Sequence, residues 1–286
     1  MQIKNNIWKQ HSGNETLFIK KYDQIHVFEK VALIHEKLEK IRFPYIIPLK
    51  RSKEPYLLVQ SWQKNSYSAD FSKVKHRKKA VKILKALHET NQHVDWHLYS
   101  EIPKQKLIQK WQARLERFLM QEKELVKYLR HHYYDIVLYA NKALEKIQQK
   151  PGTGPKTLTL LHGDVVHHNF LITKDGMKLI DFDLAVVGDP AEEMILWMHR
   201  ALPNMDYDLE RLLLEQKYLR EICLAKLHYL QYPNELLREW QYVLHLGDHE
   251  KDVFLEYIMP FTEKALRHWP DLMSATEKIQ EMFEVG

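Results

Sequence analysis

His162-Gly163-Asp164-Val165-Val166-His167-His168-Asn169, followed by Ile180-Asp181-Phe182-Asp183, is the stretch on which the reading of this chain turns. It sets an acid, an amide and two further acids at spacings that suit the movement of a phosphoryl group. Such a transfer asks little covalent help of a protein. It needs a carboxylate to aim a hydroxyl, oxygen ligands to hold Mg2+ against the nucleotide, and positive charge on the phosphates. Asp164 can be the aiming carboxylate, and Asn169 and Asp181 the oxygen ligands. Magnesium takes one or two carboxylates plus waters and phosphate oxygens, which matches so sparse a set.

The flanking residues support that reading. Leu158-Thr159-Leu160-Leu161 is a short apolar strand running into His162, and Phe170-Leu171-Ile172-Thr173 is another. Asp175-Gly176 is a hairpin turn signal, after which Met177-Lys178-Leu179-Ile180 returns as a strand and delivers Asp181 at its end. A strand, loop and hairpin in this order bring Asp164, Asn169 and Asp181 to one mouth. Gly163 gives the loop backbone freedom beside the acid.

At this point the chain resembles a known family. His162-Gly163-Asp164, then Asn169, then Ile180-Asp181 and Gly188-Asp189-Pro190 look like the catalytic segment of aminoglycoside phosphotransferases, choline kinases and their relatives. The resemblance is strongest over residues 160–193. It implies an α+β, two-lobed protein-kinase-like fold, with a small β-rich N-lobe over residues 1–62 and a large, mainly helical C-lobe over 63–286. Carried over residue by residue, it makes Asp164 the catalytic base and Asn169 and Asp181 the magnesium ligands. Asp183 stands where choline kinases often carry a second acid and would assist the metal. The family often continues Gly-Asp-Pro with Asp-Leu-Ala, whereas this chain has Glu193-Met194-Ile195, which leaves the role of that position open.

Two blander or rival readings stand beside this one. An isolated Asp in a loop is usually a turn or capping residue, and a lone His-Gly-Asp carries little weight. It is the two spacings, the hairpin and the trailing Gly-Asp-Pro together that single the segment out. His162, His167 and His168 with the three acids also suggest a transition-metal hydrolase. Against that, adjacent histidines on an extended segment point to opposite sides, and no helical ligand pair of the HExxH kind occurs. His162 reads better as a hydrogen bonder that organises the loop.

Composition bounds the remaining possibilities. Of 286 residues, 45% are hydrophobic and 28% charged, enough for a substantial core in one large domain or two lobes. Lys plus Arg exceed Asp plus Glu by 43 to 38, for a pI near 8.9. That excess suits an anionic ligand such as ATP but is too dispersed for nucleic acid. The single cysteine, Cys223, cannot form an internal disulfide, which agrees with a reducing compartment. No apolar run reaches membrane-spanning length and the first residues lack a signal-peptide core, so the expected location is the cytoplasm, without a membrane partner.

The N-terminal region reads as β-rich. Residues 16–22 form a strand, preceded by a turn at 12–15 and a partner strand near Ile7-Trp8. This hairpin is the candidate nucleotide lid, though it lacks the several glycines of a protein-kinase loop. Lys20 and Lys21 point to opposite sides. The resemblance makes Lys20 the phosphate-binding lysine, the alternative being two solvated strand lysines. Residues 25–41 have helical spacing, with Val27, Val31, Ile34 and Leu38 on one stripe. Relatives place an acid early in this helix to pair with the lysine, which favours Glu29 over Glu36. Residues 55–62 then look like the last strand and the hinge, and the resemblance puts an adenine ring against backbone groups of Gln60, Ser61 and Trp62. Phe43-Pro44-Tyr45 and the strand ending in Trp62 also resemble the spore-coat-associated branch of this superfamily.

Beyond Ser68 the pattern is nearly all helix, over residues 70–88, 105–130, 133–149, 192–201, 207–229, 235–245 and 252–268, with Pro260 expected to kink or split the last. The lysine-rich face of residues 73–85 reads as solvated, and residues 150–155 as a flexible connector. The resemblance implies an acceptor pocket in this helical region, for which Trp197, His199, Tyr218, Trp240 and Tyr257 are candidate walls, although aromatics at helical spacing usually fill the core. Glu192 or Glu193 could meet an amino-substituted acceptor or simply favour a helix N-terminus. The expected protein is thus an ATP- and Mg2+-dependent phosphotransferase that moves the γ-phosphoryl group to a hydroxyl of a small molecule: an amino alcohol, a sugar or an aminoglycoside-like compound. The alternatives are a catalytically silent kinase-like scaffold, for example in a spore coat, and the metal-dependent hydrolase.

Overall fold

The computed structural model describes residues 2–52, 54–152 and 158–284. The chain forms two compact units, Met1–Gln105 with Lys156–Glu193 and Lys106–Pro155 with Met194–Gly286. In the first, β1 (Gln2–Lys4), β2 (Ile7–Ser12) and β3 (Glu15–Lys21) run as an antiparallel meander. The β2–β3 turn passes through Gly13 at φ +57°. Helix α1 (Ile25–Lys40) follows and buries Val31, Ile34 and Leu38 at helical spacing. β4 (Leu49–Lys50) and β5 (Leu57–Ser61) complete a five-stranded sheet in the order β1-β2-β3-β5-β4.

Register decides what this sheet offers. Phe18 lies opposite Gln60 and Lys20 opposite Leu58. Because strand side chains alternate, Phe18, Lys20 and Tyr22 share a face with Leu58 and Gln60. Lys21 takes the other face and is exposed. The expectation that Lys20 and Lys21 diverge is therefore met by the pairing.

β6 (Tyr67–Ser68) and α2 (Val74–His88) come next. After the second unit's first helices the chain returns with β7 (Thr159–Leu161), β8 (Phe170–Thr173), β9 (Gly176–Leu179) and β10 (Val186–Gly188). β6, β8 and β9 form a three-stranded sheet, and β7 pairs with β10. The expected apolar strands and hairpin are all present. Of the expected connector over 150–155, residues 153–155 lie outside the described residues.

The second unit is helical: α3 (Leu107–Met120), α4 (Glu122–Leu129), α5 (His132–Gln149), the greater part of α6 (Pro190–Ala201), α7 (Leu209–Glu215), α8 (Lys217–Cys223), α9 (Asn234–Val243) and α10 (Asp248–Glu284). Aromatic pairs build its core, with Trp111 stacked on Tyr232 at 4.5 Å and Phe118 on Tyr133 at 5.2 Å. Three expected helices differ. The one over 105–130 is interrupted at Gln121, which adopts φ −99°, ψ 11°. The one over 207–229 is two short helices and a 3-10 segment, Leu224–Gln231. The last is not split at Pro260 but continues through Pro260 and Pro270. Both prolines are exposed, so the hydrogen bond each removes is lost on a wet face while Ile258, Thr262, Ala265, Trp269 and Leu272 stay buried on the other. Among the described residues no helix is long and apolar enough to cross a membrane.

Candidate active site

The loop after β7 is built around His162. Its Nδ1 lies 3.3 Å from the Asp164 amide, which can only donate, so Nε2 carries the proton and donates to the Ile180 carbonyl at 2.8 Å. Both ring nitrogens are thus occupied in joining the Asp164 loop to the strand end before Asp181. His162 is a loop organiser, as its position suggested, and has no nitrogen left for a metal. His167 and His168 are exposed. Among the described residues, the group of histidine and acid donors close enough to share an ion is His131, His132 and Asp135, none of them from this loop. The hydrolase reading therefore lacks its ligand set.

Gly163 adopts φ +79°, and a Cβ there would stand 1.9 Å from the Leu184 carbonyl oxygen. Only glycine permits that approach. The Gly163 amide donates to Glu193 Oε1 at 2.8 Å, while Glu193 Oε2 faces His88 Nε2 at 2.8 Å. Glu193 is only 1% exposed. Its carboxylate holds the Asp164 loop to the end of α2, which answers the question left by the departure from Asp-Leu-Ala. Asp189 caps α6 by accepting from the Ala191 amide at 2.8 Å.

Asn169 is 2% exposed and lines a cavity of about 330 Å3 on the sheet face already described. Its Nδ2 donates to the Asp164 carbonyl at 2.9 Å and to Asp164 Oδ2 at 3.1 Å. The amide nitrogen being committed, Oδ1 is the atom left for a cation. Asp181 also lines the cavity, held in the left-handed region at φ 68°, ψ 70°, a conformation that short polar residues tolerate and that functional sites often retain. Asn169 and Asp181 thus offer an amide oxygen and a carboxylate, the hard oxygen donors that Mg2+ takes.

Lys20 Nζ reaches Asp181 Oδ1 at 3.0 Å and Asp183 Oδ2 at 2.5 Å. Tyr22 donates to Asp183 Oδ1 at 2.7 Å, and Lys30 to the Asp183 carbonyl at 2.6 Å. Partial burial raises the Asp181 carboxyl, but the Lys20 charge and hydrogen bond outweigh it and leave the group below its usual range. Asp183 is pushed up, by burial first and then by the Asp181 charge. Burial, followed by the charge of Asp183, raises the Tyr22 hydroxyl well above its ordinary value. One cationic side chain therefore bridges two acids, one of which faces the cavity.

Most of the expected site converges here. Lys20, Gln60, Ser61, Trp62, Asn169 and Asp181 line the cavity, and Asp164 is attached to it through Asn169. Asp183 joins through Lys20. Glu29 does not: it is exposed on α1, and the carboxylates on Lys20 are Asp181 and Asp183. Glu36 is exposed as well and binds the neighbouring Lys37. The physical reason is phase, since the stripe through Val31, Ile34 and Leu38 that α1 buries carries neither glutamate. Tyr22 and Lys30 were not anticipated, and Glu193 was singled out but not as the residue that holds the Asp164 loop. Tyr22 shares the parity of Phe18 and Lys20, and Lys30 is a charged residue on the face that α1 buries, so both left a signal. Of the candidate acceptor walls, Trp197, His199 and Trp240 are core residues of the second unit, whereas Tyr257 is exposed.

Fold and site together define a kinase-like protein in which acids, an amide and a lysine converge around one cavity. The model of the phosphotransferase enzyme family matches residues 52–220, more than half of the chain, which therefore belongs to that family. Among solved structures it is similar to an aminoglycoside phosphotransferase from Alicyclobacillus acidocaldarius subsp. acidocaldarius DSM 446, at 18% identity over 97% of this chain and 92% of that one, with a TM-score of 0.67. The choline kinase LicA from Streptococcus pneumoniae matches at 10% identity over 99% and 92%, with a TM-score of 0.55. The macrolide 2'-phosphotransferase MphH from Brachybacterium faecium matches at 13% over 89% and 88%, with a TM-score of 0.57. At these identities the likeness concerns the fold. No curated protein sequence matches the chain.

Proposed function

We propose that this protein transfers the γ-phosphoryl group of ATP to a hydroxyl of a small molecule in the cytoplasm. The observation that carries the reading is the joint commitment of Asn169: its nitrogen fixes Asp164 while its oxygen is left beside Asp181 in the cavity that Lys20 lines. Asn169 and Asp181 would hold Mg2+, with Asp183 nearby, and Lys20 would neutralise the nucleotide phosphates. A bound magnesium ion supplies charge on the phosphate oxygens as the bond to the leaving group loosens. Asp164 orients the acceptor hydroxyl and takes its proton late, so no strongly basic group is needed. Backbone groups near Gln60, Ser61 and Trp62 would meet the base. The acceptors named for the structural neighbours, an aminoglycoside, choline and a macrolide, support an amino alcohol, a sugar or an aminoglycoside-like compound.

Thermal unfolding with and without Mg-ATP tests this, in the wild type and in Asp181→Asn. A ligand at about 100 times its Kd adds roughly 2.7 kcal/mol to the native state. The expected result is a magnesium-dependent rise in midpoint that the variant loses, with Asp164→Ala keeping the rise but losing turnover. Absence of any rise in the wild type would sink the reading. A catalytically silent scaffold is the second reading, favoured by the exposed Glu29, which leaves Lys20 without a helix partner. Nucleotide binding without transfer to any hydroxyl acceptor would support it.

A further inference from the structure

Gln60 lines the cavity and is only 8% exposed, yet neither phosphate nor metal chemistry uses its side chain. Its Nε2 donates to the Ile47 carbonyl at 2.7 Å. A carbonyl can only accept, so this contact fixes which end of the amide is nitrogen. The remaining Oε1 has no partner among the described residues and keeps accessible surface on a side chain that lines the cavity, so it opens into that cavity. The surrounding wall is largely apolar, through Phe18, Val31, Ile47, Leu58 and Ile180, with Ser61 and Gln63 at its edge. On the paired strands, Gln60 lies opposite Phe18 while Lys20 lies opposite Leu58. Two residues along a strand are roughly 7 Å. One end of the cavity is thus charged, at Lys20 and Asp181, while about one strand repeat away Gln60 sets an oriented acceptor among largely apolar side chains.

We propose that Gln60 selects adenine over guanine, an inference that rests on the cavity being the nucleotide site. Adenine carries an exocyclic amine at C6, which donates to Oε1. Guanine carries an oxygen there, and two acceptors would face each other with no proton between them. Rotating the amide to offer Nε2 gives no relief, because Oε1 would then face the Ile47 carbonyl. A buried polar group left unpaired costs enough to separate the two bases by roughly 10- to 100-fold in affinity.

Calorimetric titration of the wild type and Gln60→Met with Mg-ATP, Mg-GTP and Mg-ITP tests this. ITP has the C6 oxygen without the 2-amino group of guanine, so it isolates the acceptor clash from a steric one. The wild type should bind ATP roughly 10- to 100-fold more tightly than either competitor, and Gln60→Met should bring the three within about threefold. Equal binding of ATP and ITP by the wild type, or an undiminished preference in Gln60→Met, overturns the inference while leaving the nucleotide site intact. Failure of all three nucleotides to bind removes the nucleotide site and the inference with it. If Gln60→Met does not fold, the ATP-to-ITP ratio of the wild type decides alone.

Discussion

Gly163 shows how much one residue without a side chain can determine. Two positions, Gly13 and Gly163, share a left-handed backbone, at φ +57° and φ +79°. A Cβ at Gly13 would meet nothing within 4 Å, whereas at Gly163 it would drive into the Leu184 carbonyl. Gly13→Ala should therefore cost only the left-handed penalty, about 1–2 kcal/mol. Gly163→Ala adds a backbone collision that must displace Asp164 or the segment holding Asp181. Urea denaturation should rank Gly163→Ala well below Gly13→Ala, with phosphoryl transfer lost in the former alone; equal costs would refute the close approach. At this scale the sequence was informative. Asp164, Asn169 and Asp181 were legible because oxygen ligands and a glycine stand at fixed offsets around a hairpin. Glu193 was not, since a buried carboxylate serving a loop amide looks no different in sequence from a helix-start acid. Its role is visible only once Gly163 and His88 are seen on either side of it.

Helix α1 illustrates the same contrast for elements. Its extent follows from spacing: residues 25–41 were expected and Ile25–Lys40 is helical. What escaped is its function as a tether. Lys30 donates to the Asp183 carbonyl, and His35 packs edge-on against Phe182 at 5.6 Å between ring centres. The helix thereby grips the segment that presents Asp181 and Asp183, through a lysine and a histidine rather than a glutamate. Lys30→Met preserves most of the side-chain volume but leaves a half-buried carbonyl unpaired, a loss of about 1–3 kcal/mol. Glu29→Gln, on the exposed face, should change stability by less than about 0.5 kcal/mol. Denaturant titrations of the two variants give the comparison, and a larger effect at Glu29 than at Lys30 would show that α1 is held differently. The helices of the second unit were less legible than α1. Neither proline nor glycine marks the interruption at Gln121, and nothing local distinguishes the 3-10 segment Leu224–Gln231 from α8 before it. In both places tertiary packing overrides propensity, which residue spacing alone does not encode. Pro260 errs in the other direction, because an exposed proline in a helix with a well-buried opposite face removes a bond without ending the helix.

Across the whole molecule, buried histidines tie stability to pH. Burial holds His35 down to about 4, His199 to about 3 and His228 to about 4. His35 belongs to the first unit and the other two to the second, so both units respond. His199 Nε2 has no hydrogen-bond partner, and His228 donates from Nε2 to the Lys150 carbonyl while its Nδ1 faces Gln280. Each is thus folded in its neutral form. In the unfolded chain the same rings titrate near 6.5. Above that pH neither state binds these protons and the histidines contribute no pH dependence. Below it the unfolded chain takes them up first, so stability falls as pH drops from about 6.5 towards 4. Each fully engaged ring contributes a slope of about 1.4 kcal/mol per pH unit, or about 4 for the three together. Carboxylates held low, such as Asp181, add their loss only further down, near and below the ordinary carboxylate range. Unfolding free energies measured in urea at pH 7.5, 6.5, 5.5 and 5.0 should fall by only about 1 kcal/mol over the first interval and approach the full slope over the last. His228→Gln should reduce the steep slope by about one proton's worth, roughly 1.4 kcal/mol per pH unit. A wild-type slope below that of a single proton at pH 5.5 would mean that these histidines are protonated in the folded protein, and that water reaches interiors which the packing closes.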